Sequence, residues 1–340
     1  MASTISIDRF IELIDIYPAI DVRSPSEYAR GHIPGAFNIP LFNDEERAIV
    51  GTKYVSEGRQ EAVRIGLELV APKLNHLIDT LNSKVAQKNI LVYCWRGGMR
   101  SASMSWLFGL AGFKPLTLEG GYKSFRRHAQ ASFEKNYKFL VLGGMTGCGK
   151  TEILKKLKEA GEQVIDLEGL ANHKGSAFGW INQLPQPSTE HFENLLFNEL
   201  RLLNPMQPTW IEDESKSIGS VFIPQSIFNQ MVNSPTVVIE TYFQSRIDRL
   251  VNEYTSCEKQ YLIDSVKRIQ KRLGLEKAQR CIDLIHTGKL AEAIAITLEY
   301  YDKTYKYGLD QKKIPPKNFA FDGISNTVDE LISYRKSLKY

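Results

Sequence analysis

Apolar and polar positions along the first third of the chain switch repeatedly between the helical and the strand period. In residues 5–18, Ile7, Phe10, Ile11 and Ile14 recur on one helical face, which predicts an amphipathic helix. The short apolar run Ala19–Val22 predicts a strand. Ser24-Pro25-Ser26-Glu27 then has the spacing of a capping box with proline at the first helical position, so a helix is expected to follow at once. Residues 59–82 read as one or two helices, Asn89–Tyr93 as a buried strand, and Ser101–Ala111 as a helix. The alternation starts again near Tyr137. Strands are predicted at Phe139–Leu142, Gln163–Leu167, Thr209–Ile211 and Thr236–Glu240, with helices at Thr151–Glu159 and near 190–203 and 224–233. From about Ser245 the pattern is mainly helical and rich in charge. Strand, tight turn, helix, repeated, implies the α/β class with parallel sheets and active residues at strand C-terminal ends.

The two series are separated by a polar stretch, Ala131–Lys138, and 340 residues exceed what one core usually serves. The expected organisation is a first domain over 1–132, a second α/β domain over 136–250, and a mainly helical region over 251–340 packed on the second domain. Composition alters this picture little: 43% apolar and 24% charged residues are ordinary for a globular protein. No run of about 18 uncharged apolar residues is present to span a bilayer. The first residues lack the basic start, apolar run and cleavage site of a signal peptide. A cytoplasmic location without membrane contact is therefore expected. Cys94, Cys148, Cys257 and Cys281 lie far apart with no C-x-x-C pair, which argues against a disulfide framework and against a structural metal site. A formal charge of +4 permits a polyanionic partner without requiring one.

Two turns carry chemistry. Cys94 stands between the Asn89–Tyr93 strand and the next helix, followed by Arg96, Gly97, Gly98 and Arg100. A thiol there meets converging backbone N–H groups, the positive end of a helix and two guanidinium groups, all of which favour the reactive thiolate and an oxyanion beside it. The alternative, an inert buried thiol at a strand end, accounts for neither the arginines nor the glycines. The second turn, Gly144-Met-Thr-Gly147-Cys-Gly149-Lys150-Thr151, matches G-x-x-x-x-G-K-[ST] directly after an apolar strand and before a helix. Its amides suit a diphosphate, Lys150 neutralises charge and Thr151 can hold Mg2+. Asp166, Glu168 and Asp213, the last within the Walker-B-like Ile211-Glu212-Asp213-Glu214, are candidate acidic residues for Mg2+, with ordinary capping or a solvated acidic turn as the competing reading. Cys148 is expected to point away from the ligand.

Asp21-Val22-Arg23, Glu27-Tyr28, Gly31-His32-Ile33-Pro34-Gly35-Ala36, Cys94 and Glu119-Gly120-Gly121-Tyr122 resemble the signature of the rhodanese family. The resemblance implies a rhodanese-like first domain and persulfide-type chemistry on Cys94. Many single-domain rhodaneses place four residues between the cysteine and the next arginine. Here five separate Cys94 from Arg100, as in the related dual-specificity phosphatases, and this longer loop should admit a tetrahedral, phosphate-sized anion. The second domain reads as P-loop NTPase-like.

The two domains in one chain, with the segment Asp166–Gly179, Phe192–Leu196 and Glu212-Asp213-Glu214-Ser215, resemble the tRNA 2-selenouridine synthase family over nearly the whole length. That resemblance implies geranylation of the wobble 2-thiouridine of tRNA by geranyl diphosphate. Replacement of the geranylated sulfur by selenium from selenophosphate follows, with a selenophosphate-supplying enzyme as a further partner. It places selenophosphate at the loop of Arg96, Gly97, Gly98 and Arg100, with Cys94 either attacking it to form a selenium adduct or assisting displacement at C2. Geranyl diphosphate is placed at Gly144, Gly147, Gly149, Lys150 and Thr151, and Gly66 is a candidate for the prenyl site. Candidate tRNA contacts are Lys123, Arg126 and Arg127, and Lys267, Arg268, Lys271 and Arg272, although cations on a helix commonly form a solvated face. Tyr122, Tyr300, Tyr301, Tyr305 and Tyr307 are candidates for stacking on bases, with core packing as the other reading. Three competing functions stand: a rhodanese-type sulfurtransferase with a nucleotide-regulated P-loop domain, a P-loop small-molecule kinase with a non-catalytic rhodanese module, and a non-catalytic sulfur-carrier scaffold. The last is disfavoured by the intact Cys94 and P-loop motifs.

Overall fold

The computed structural model describes residues 3–310 and 312–338. The residues up to Ser132, together with Glu193–Phe197, form one compact unit; Phe133–Phe192 and the residues from Asn198 onward form a second.

The first unit runs β1 (Ser3–Ile5), α1 (Ile7–Leu13), β2 (Ala19–Asp21), α2 (Pro25–Arg30), β3 (Phe37–Asn38), α3 (Asp44–Ser56), α4 (Arg59–Val70), α5 (Leu74–Lys84), β4 (Asn89–Tyr93), α6 (Met99–Leu110), β5 (Lys114–Leu118) and α7 (Gly121–Ser132). The sheet order is β1-β5-β4-β2-β3 and every pairing is parallel. The helix expected over 5–18 is shorter than its apolar period suggests. Ser6 caps α1 by accepting the Arg9 N–H at 3.3 Å, and the residues before it pair with β5 as an edge strand. The capping box at Ser24–Glu27 forms, with the Glu27 carboxylate accepting the Ser24 N–H at 3.2 Å. Helix α3, absent from the sequence reading, starts on a second such box at Asn43 and Glu46, and none of its residues is buried.

Arg23 is 1% exposed at the centre of this unit. Its Nε and Nη2 donate to the Asp21 carboxylate at 3.0 and 2.6 Å, and Nη2 also reaches the Gly31 carbonyl at 2.7 Å. The guanidinium lies 3.9 Å from the centre of the Tyr122 ring. Asp21 sits at the end of β2 and Tyr122 at the start of α7, so one buried cation ties a strand end to a helix start.

The second unit runs β6 (Phe139–Gly144), α8 (Lys150–Glu159), β7 (Gln163–Ile165), α9 (Leu167–Ala171), α10 (Thr189–Leu200), β8 (Thr209–Glu212), β9 (Ser217–Ile218), β10 (Val221–Phe222), α11 (Gln225–Val232), β11 (Thr236–Glu240), α12 (Phe243–Tyr254), α13 (Lys259–Leu273), α14 (Leu275–His286), α15 (Leu290–Asp310), β12 (Lys317–Ala320) and α16 (Ile324–Ser337). The five-stranded parallel sheet has the order β12-β11-β6-β8-β7, and β9 and β10 form a separate antiparallel hairpin. The region expected to be mainly helical beyond 251 thus also contributes a strand to this sheet. Of the four β12 residues only Phe319 is even partly buried, so no apolar alternation marks it. Two apolar clusters form, one on the sheet around Leu140, Leu154 and Trp210, the other among α12–α15 around Leu262, Cys281 and Ile285. Among the described residues no helix is long and apolar enough to cross a membrane.

Removing one partner of a buried ion pair leaves the other charge stranded. Asp21→Ala is therefore expected to cost the first unit about 3–5 kcal/mol. The check is the first transition in urea unfolding of the whole chain; an unchanged midpoint would show that the pair is not structural.

Candidate functional site

Cys94 follows the last residue of β4 and is 3% exposed. Its Sγ lies 3.2 Å from the hydroxyl of Ser101, a fully buried residue of α6 that the sequence reading did not single out. The Ser101 hydroxyl also donates to the Gly98 carbonyl at 3.0 Å. One hydroxyl hydrogen cannot serve both groups. With a thiol at 94, the S–H donates to Oγ, whereas a thiolate would draw the hydroxyl to itself. Arg100 donates to the Glu27 carboxylate at 2.6 and 3.4 Å. Burial pushes the Glu27 pKa up, but the hydrogen bond and charge of Arg100 outweigh it and hold it below the ordinary value. Arg96 is exposed.

The rim of this loop is set by backbone approach. The Tyr122 N–H donates to the Cys94 carbonyl at 2.8 Å and the Lys123 N–H to the Trp95 carbonyl at 3.0 Å. At Gly121 (φ +59°) an added Cβ would strike the Cys94 carbonyl and stand 2.5 Å from the Gly97 nitrogen; at Gly97 (φ +66°) it would stand 2.7 Å from the Leu118 carbonyl. The Gly120-Gly121 motif therefore clamps the cysteine loop.

Several expected roles change here. Tyr122 is fully buried against Arg23 and cannot stack on a base. Arg126 is engaged by Glu193 and by Asn194 (2.5 Å), so it is not a free phosphate contact, while Lys123 and Arg127 remain exposed. Gly66 is buried in α4, where an added Cβ would lie 3.4 Å from the Phe42 ring. That is close packing rather than a prenyl pocket.

In the second unit, Gly144–Thr151 floors a cavity of about 650 Å3, within the range of small-molecule sites. Phe228, Met231, Val232, Leu250 and Leu309 give it an apolar wall. Cys148 is 1% exposed, packed in the sheet core. Lys150 Nζ donates to the Gly144 carbonyl at 3.1 Å. Burial opposes its charge, yet Cys148 and the carboxylates of Glu168, Glu214 and Glu212 raise its pKa above the ordinary lysine value. Two arginines one turn apart on α12 hold successive carbonyls of the loop: Arg246 that of Thr146 and Arg249 that of Gly147, each at 2.8 Å. Arg246 is also neutralised by Asp302 at 2.6 and 2.9 Å. Arg249 lies flat on Gly149 (φ +97°), where a Cβ would come within 2.9 Å of Nη1, and it lines the cavity. Nothing in local sequence pairs position 249 with a loop a hundred residues earlier.

The acidic residues rearrange most. Asp166 caps α9, accepting the Gly169 N–H at 2.7 Å. Asp213 is paired with Lys312 at 2.6 Å and accepts the Tyr305 hydroxyl at 3.2 Å. Asp166 thus spends one oxygen on the helix cap, and Asp213 is neutralised by Lys312. The carboxyls beside the loop are Glu168, which accepts the Thr151 hydroxyl at 3.4 Å, and Glu214, which is hydrogen-bonded to Glu168. Glu212 Oε2 accepts the Glu168 N–H at 2.8 Å, and its Oε1 is buried with no partner among the described residues. Burial first, then the Glu168 charge, pushes Glu214 and Glu212 well above the ordinary carboxyl range. Among the described residues no three His, Cys, Asp or Glu side chains are grouped to hold a metal by themselves.

On α15, Tyr305 accepts the Gly144 N–H at 2.7 Å and Tyr301 accepts the Ala177 N–H at 2.9 Å. These two are braces of the cavity rather than stacking platforms. Tyr300 is partly buried against the helical core, and Tyr307 is 70% exposed. On α13, Lys267, Arg268, Lys271 and Arg272 are all exposed, with Arg268 4.7 Å over the Trp180 ring.

A carboxyl whose pKa is raised by folding stabilises the fold below the unfolded-state pKa, and that contribution is lost as pH rises through the raised value. Stability of the second unit is therefore expected to fall from mildly acidic to alkaline pH. Glu214→Gln should flatten the fall, by roughly 2–4 °C in melting temperature for each kcal/mol removed. Melting curves across that range check this, and parallel profiles for the two proteins would contradict it.

Two family models match: a rhodanese-like domain over residues 6–128 and the tRNA 2-selenouridine synthase AAA domain over residues 137–338. A tRNA 2-selenouridine synthase of Sulfurovum sp. (strain NBC37-1) is 37% identical over 330 residues, covering 86% of this chain and 89% of the relative. One from Nitrosomonas europaea is 39% identical over 246 residues, 70% of this chain and 63% of its own length. Among solved structures, the N-terminal domain of a protein described as ATP/GTP binding from Clostridium difficile 630 is 38% identical. It covers 37% of this chain and 98% of its own, with a TM-score of 0.35. The chain belongs to the tRNA 2-selenouridine synthase family.

Proposed function

We propose that this protein converts the wobble 2-thiouridine of tRNA to 2-selenouridine through an S-geranyl intermediate. Geranyl diphosphate binds in the P-loop cavity and selenophosphate at the Cys94 loop. The observation that carries the reading is the make-up of the cavity: a diphosphate cradle with Lys150 and Arg249 on its floor, continuous with a wall of Phe228, Met231, Val232 and Leu309. A prenyl diphosphate needs both surfaces in one space. Of the lining cations, Lys150 and Arg249 bond carbonyls of the P-loop itself, Lys216 bonds the Ile223 carbonyl, and Lys174 and Lys312 are spent on Glu253 and Asp213, so the first two are the cations offered to a diphosphate in the loop.

The thiocarbonyl sulfur forms a bond to C1 of the geranyl group as the C1–O bond breaks. The electron pair stays on the departing diphosphate, and N3 of the base loses its proton. Positive groups fixed where that charge develops lower the barrier. Thr151 and Glu168 supply the hard oxygen donors that would hold a Mg2+ shared with the diphosphate, screening its charge. The alkylated sulfur then leaves C2 as a thiolate, a far better leaving group than a thiocarbonyl sulfur. Selenium takes its place. The tRNA is gripped through phosphate contacts, for which Lys267, Arg268, Lys271 and Arg272 on α13 and Lys123 and Arg127 on α7 are exposed.

Nucleoside mass spectrometry of 2-thiouridine tRNA, with geranyl diphosphate and selenophosphate omitted in turn, separates the steps. Lys150→Ala and Arg249→Ala are each expected to slow geranylation roughly 100-fold or more. Cys94→Ala should keep geranylation and lose selenation. Undiminished geranylation in Lys150→Ala, with loss of a nucleotide-dependent step instead, would reassign the cavity to a nucleotide.

A further inference from the structure

The Cys94 loop has the parts to attack phosphorus. Five residues separate Cys94 from Arg100, a length suited to a tetrahedral anion, and the turn opens directly onto the N-terminus of the twelve-residue helix α6. Arg100 keeps three of its five N–H donors beyond the two bonds to Glu27, which fixes the guanidinium beside the loop. Ser101, the next residue, sets its hydroxyl 3.2 Å from Sγ although it is wholly buried. A hydroxyl in that place stabilises a sulfur that must leave as thiolate. Such a group is needed if a bond from Sγ to the ligand is first made and then broken.

Resting on the reading that selenophosphate is the selenium donor, we propose that Cys94 takes the phosphoryl group of selenophosphate and releases hydrogen selenide as the nucleophile. The thiolate of Cys94 attacks phosphorus, the Sγ–P bond forms, and the P–Se bond breaks with its electron pair leaving on selenium, which takes the proton carried by the selenophosphate hydrogen dianion and departs as HSe−. Hydrogen selenide is a strong enough acid to depart without a proton donor. HSe− then attacks C2 of the S-geranyl base, the C2–S bond breaks, geranyl thiolate leaves, and the proton carried by selenium ends on N3. Water attacks the phosphocysteine, the Sγ–P bond breaks toward the thiolate that Ser101 stabilises, and phosphate and one proton are released. Phosphorus, sulfur and selenium keep their oxidation states throughout. Transfer of selenium itself to Sγ would instead leave phosphorus reduced to phosphite, and a further oxidant would be needed to return it to phosphate. Arg100 acts as the catalytic cation on the phosphoryl oxygens, and Ser101 is a positioning residue for the thiolate.

The test uses the full chain and thiophosphate, for which a sulfur adduct and a phosphoryl adduct on Cys94 differ plainly in mass. Selenophosphate is run in parallel, and phosphorus is followed by NMR. Rapid acid quench and peptide mass spectrometry should find phosphocysteine at position 94 and orthophosphate as the product. Ser101→Ala should slow breakdown and raise the steady-state phosphocysteine roughly 10- to 100-fold, the range of one hydrogen bond to a charged group, and Ser101→Thr should restore turnover. A role of Ser101 in folding alone would not make the adduct accumulate. Cys94→Ser, with its fold checked by its melting curve, should show no adduct. Selenium or sulfur on Cys94, phosphite as product, or an unmodified Cys94 in both the wild type and Ser101→Ala during active selenation would overturn the proposal. Trapping needs no tRNA. A wild type that forms phosphocysteine yet makes no selenouridine therefore sinks the functional reading, and with it the attack on C2, while sparing the phosphoryl transfer to Cys94.

Discussion

Close approach of one stretch of backbone to another, at the point where a parallel strand hands over to a helix, is the constraint on which both sites depend. At the end of β4 the amides of Tyr122 and Lys123 fasten the carbonyls of Cys94 and Trp95, and only a residue without Cβ at 121 permits it. At the end of β6 the same need appears in another form: the guanidinium of Arg249 lies directly on the Cα of Gly149. In each case the missing side chain is what lets backbone amides and a cation surround one small volume. An anion-binding turn is thus an arrangement of absences, supported by groups much further along the chain.

The supports differ in electrostatic character. In the first unit the Asp21–Arg23 pair is buried, well hydrogen-bonded and capped by an aromatic ring, and its work is to hold β2, the Gly31 turn and α7 in register around the cysteine loop. In the second unit the carboxyls of Glu168, Glu212 and Glu214 crowd one buried space, where burial and the charge of their neighbours push the pKa of each up. Lys150 gains charge stability from the same neighbours. On the proposed reading an anionic ligand would displace part of that attraction, and Arg249, whose bond is to a carbonyl rather than a carboxylate, would offer it charge.

What could be read in advance was whatever is local. The strand–turn–helix around Cys94, the P-loop between β6 and α8, and the Ser24–Glu27 box each need fewer than a dozen consecutive residues, and each lies where its pattern placed it. Side-chain partnership was less legible. Asp166 and Asp213 had the right chemistry for a metal, but one is consumed by a helix cap and the other by Lys312. Tyr122 and Arg126 looked available for tRNA because a helical period records which face a residue occupies, not which distant group fills its valences. Arg249 and Tyr305 reach the P-loop only through folding of separate elements, and β12 is too short and too exposed to leave a period. Family resemblance carried the activity further than any of these patterns.

Cys148 lies within the Gly144–Thr151 turn, yet its sulfur packs against Gly144 and the sheet core and is 1% exposed. On the proposed reading, in which the bound donor alkylates sulfur, reversing this orientation would carry a chemical cost. A thiol facing the cradle would compete with the tRNA for the allylic carbon, and each success would cap the enzyme permanently with a thioether. On that reading the same atom, 1% exposed, fills a packing space as a small hydrophobe and is kept from alkylation.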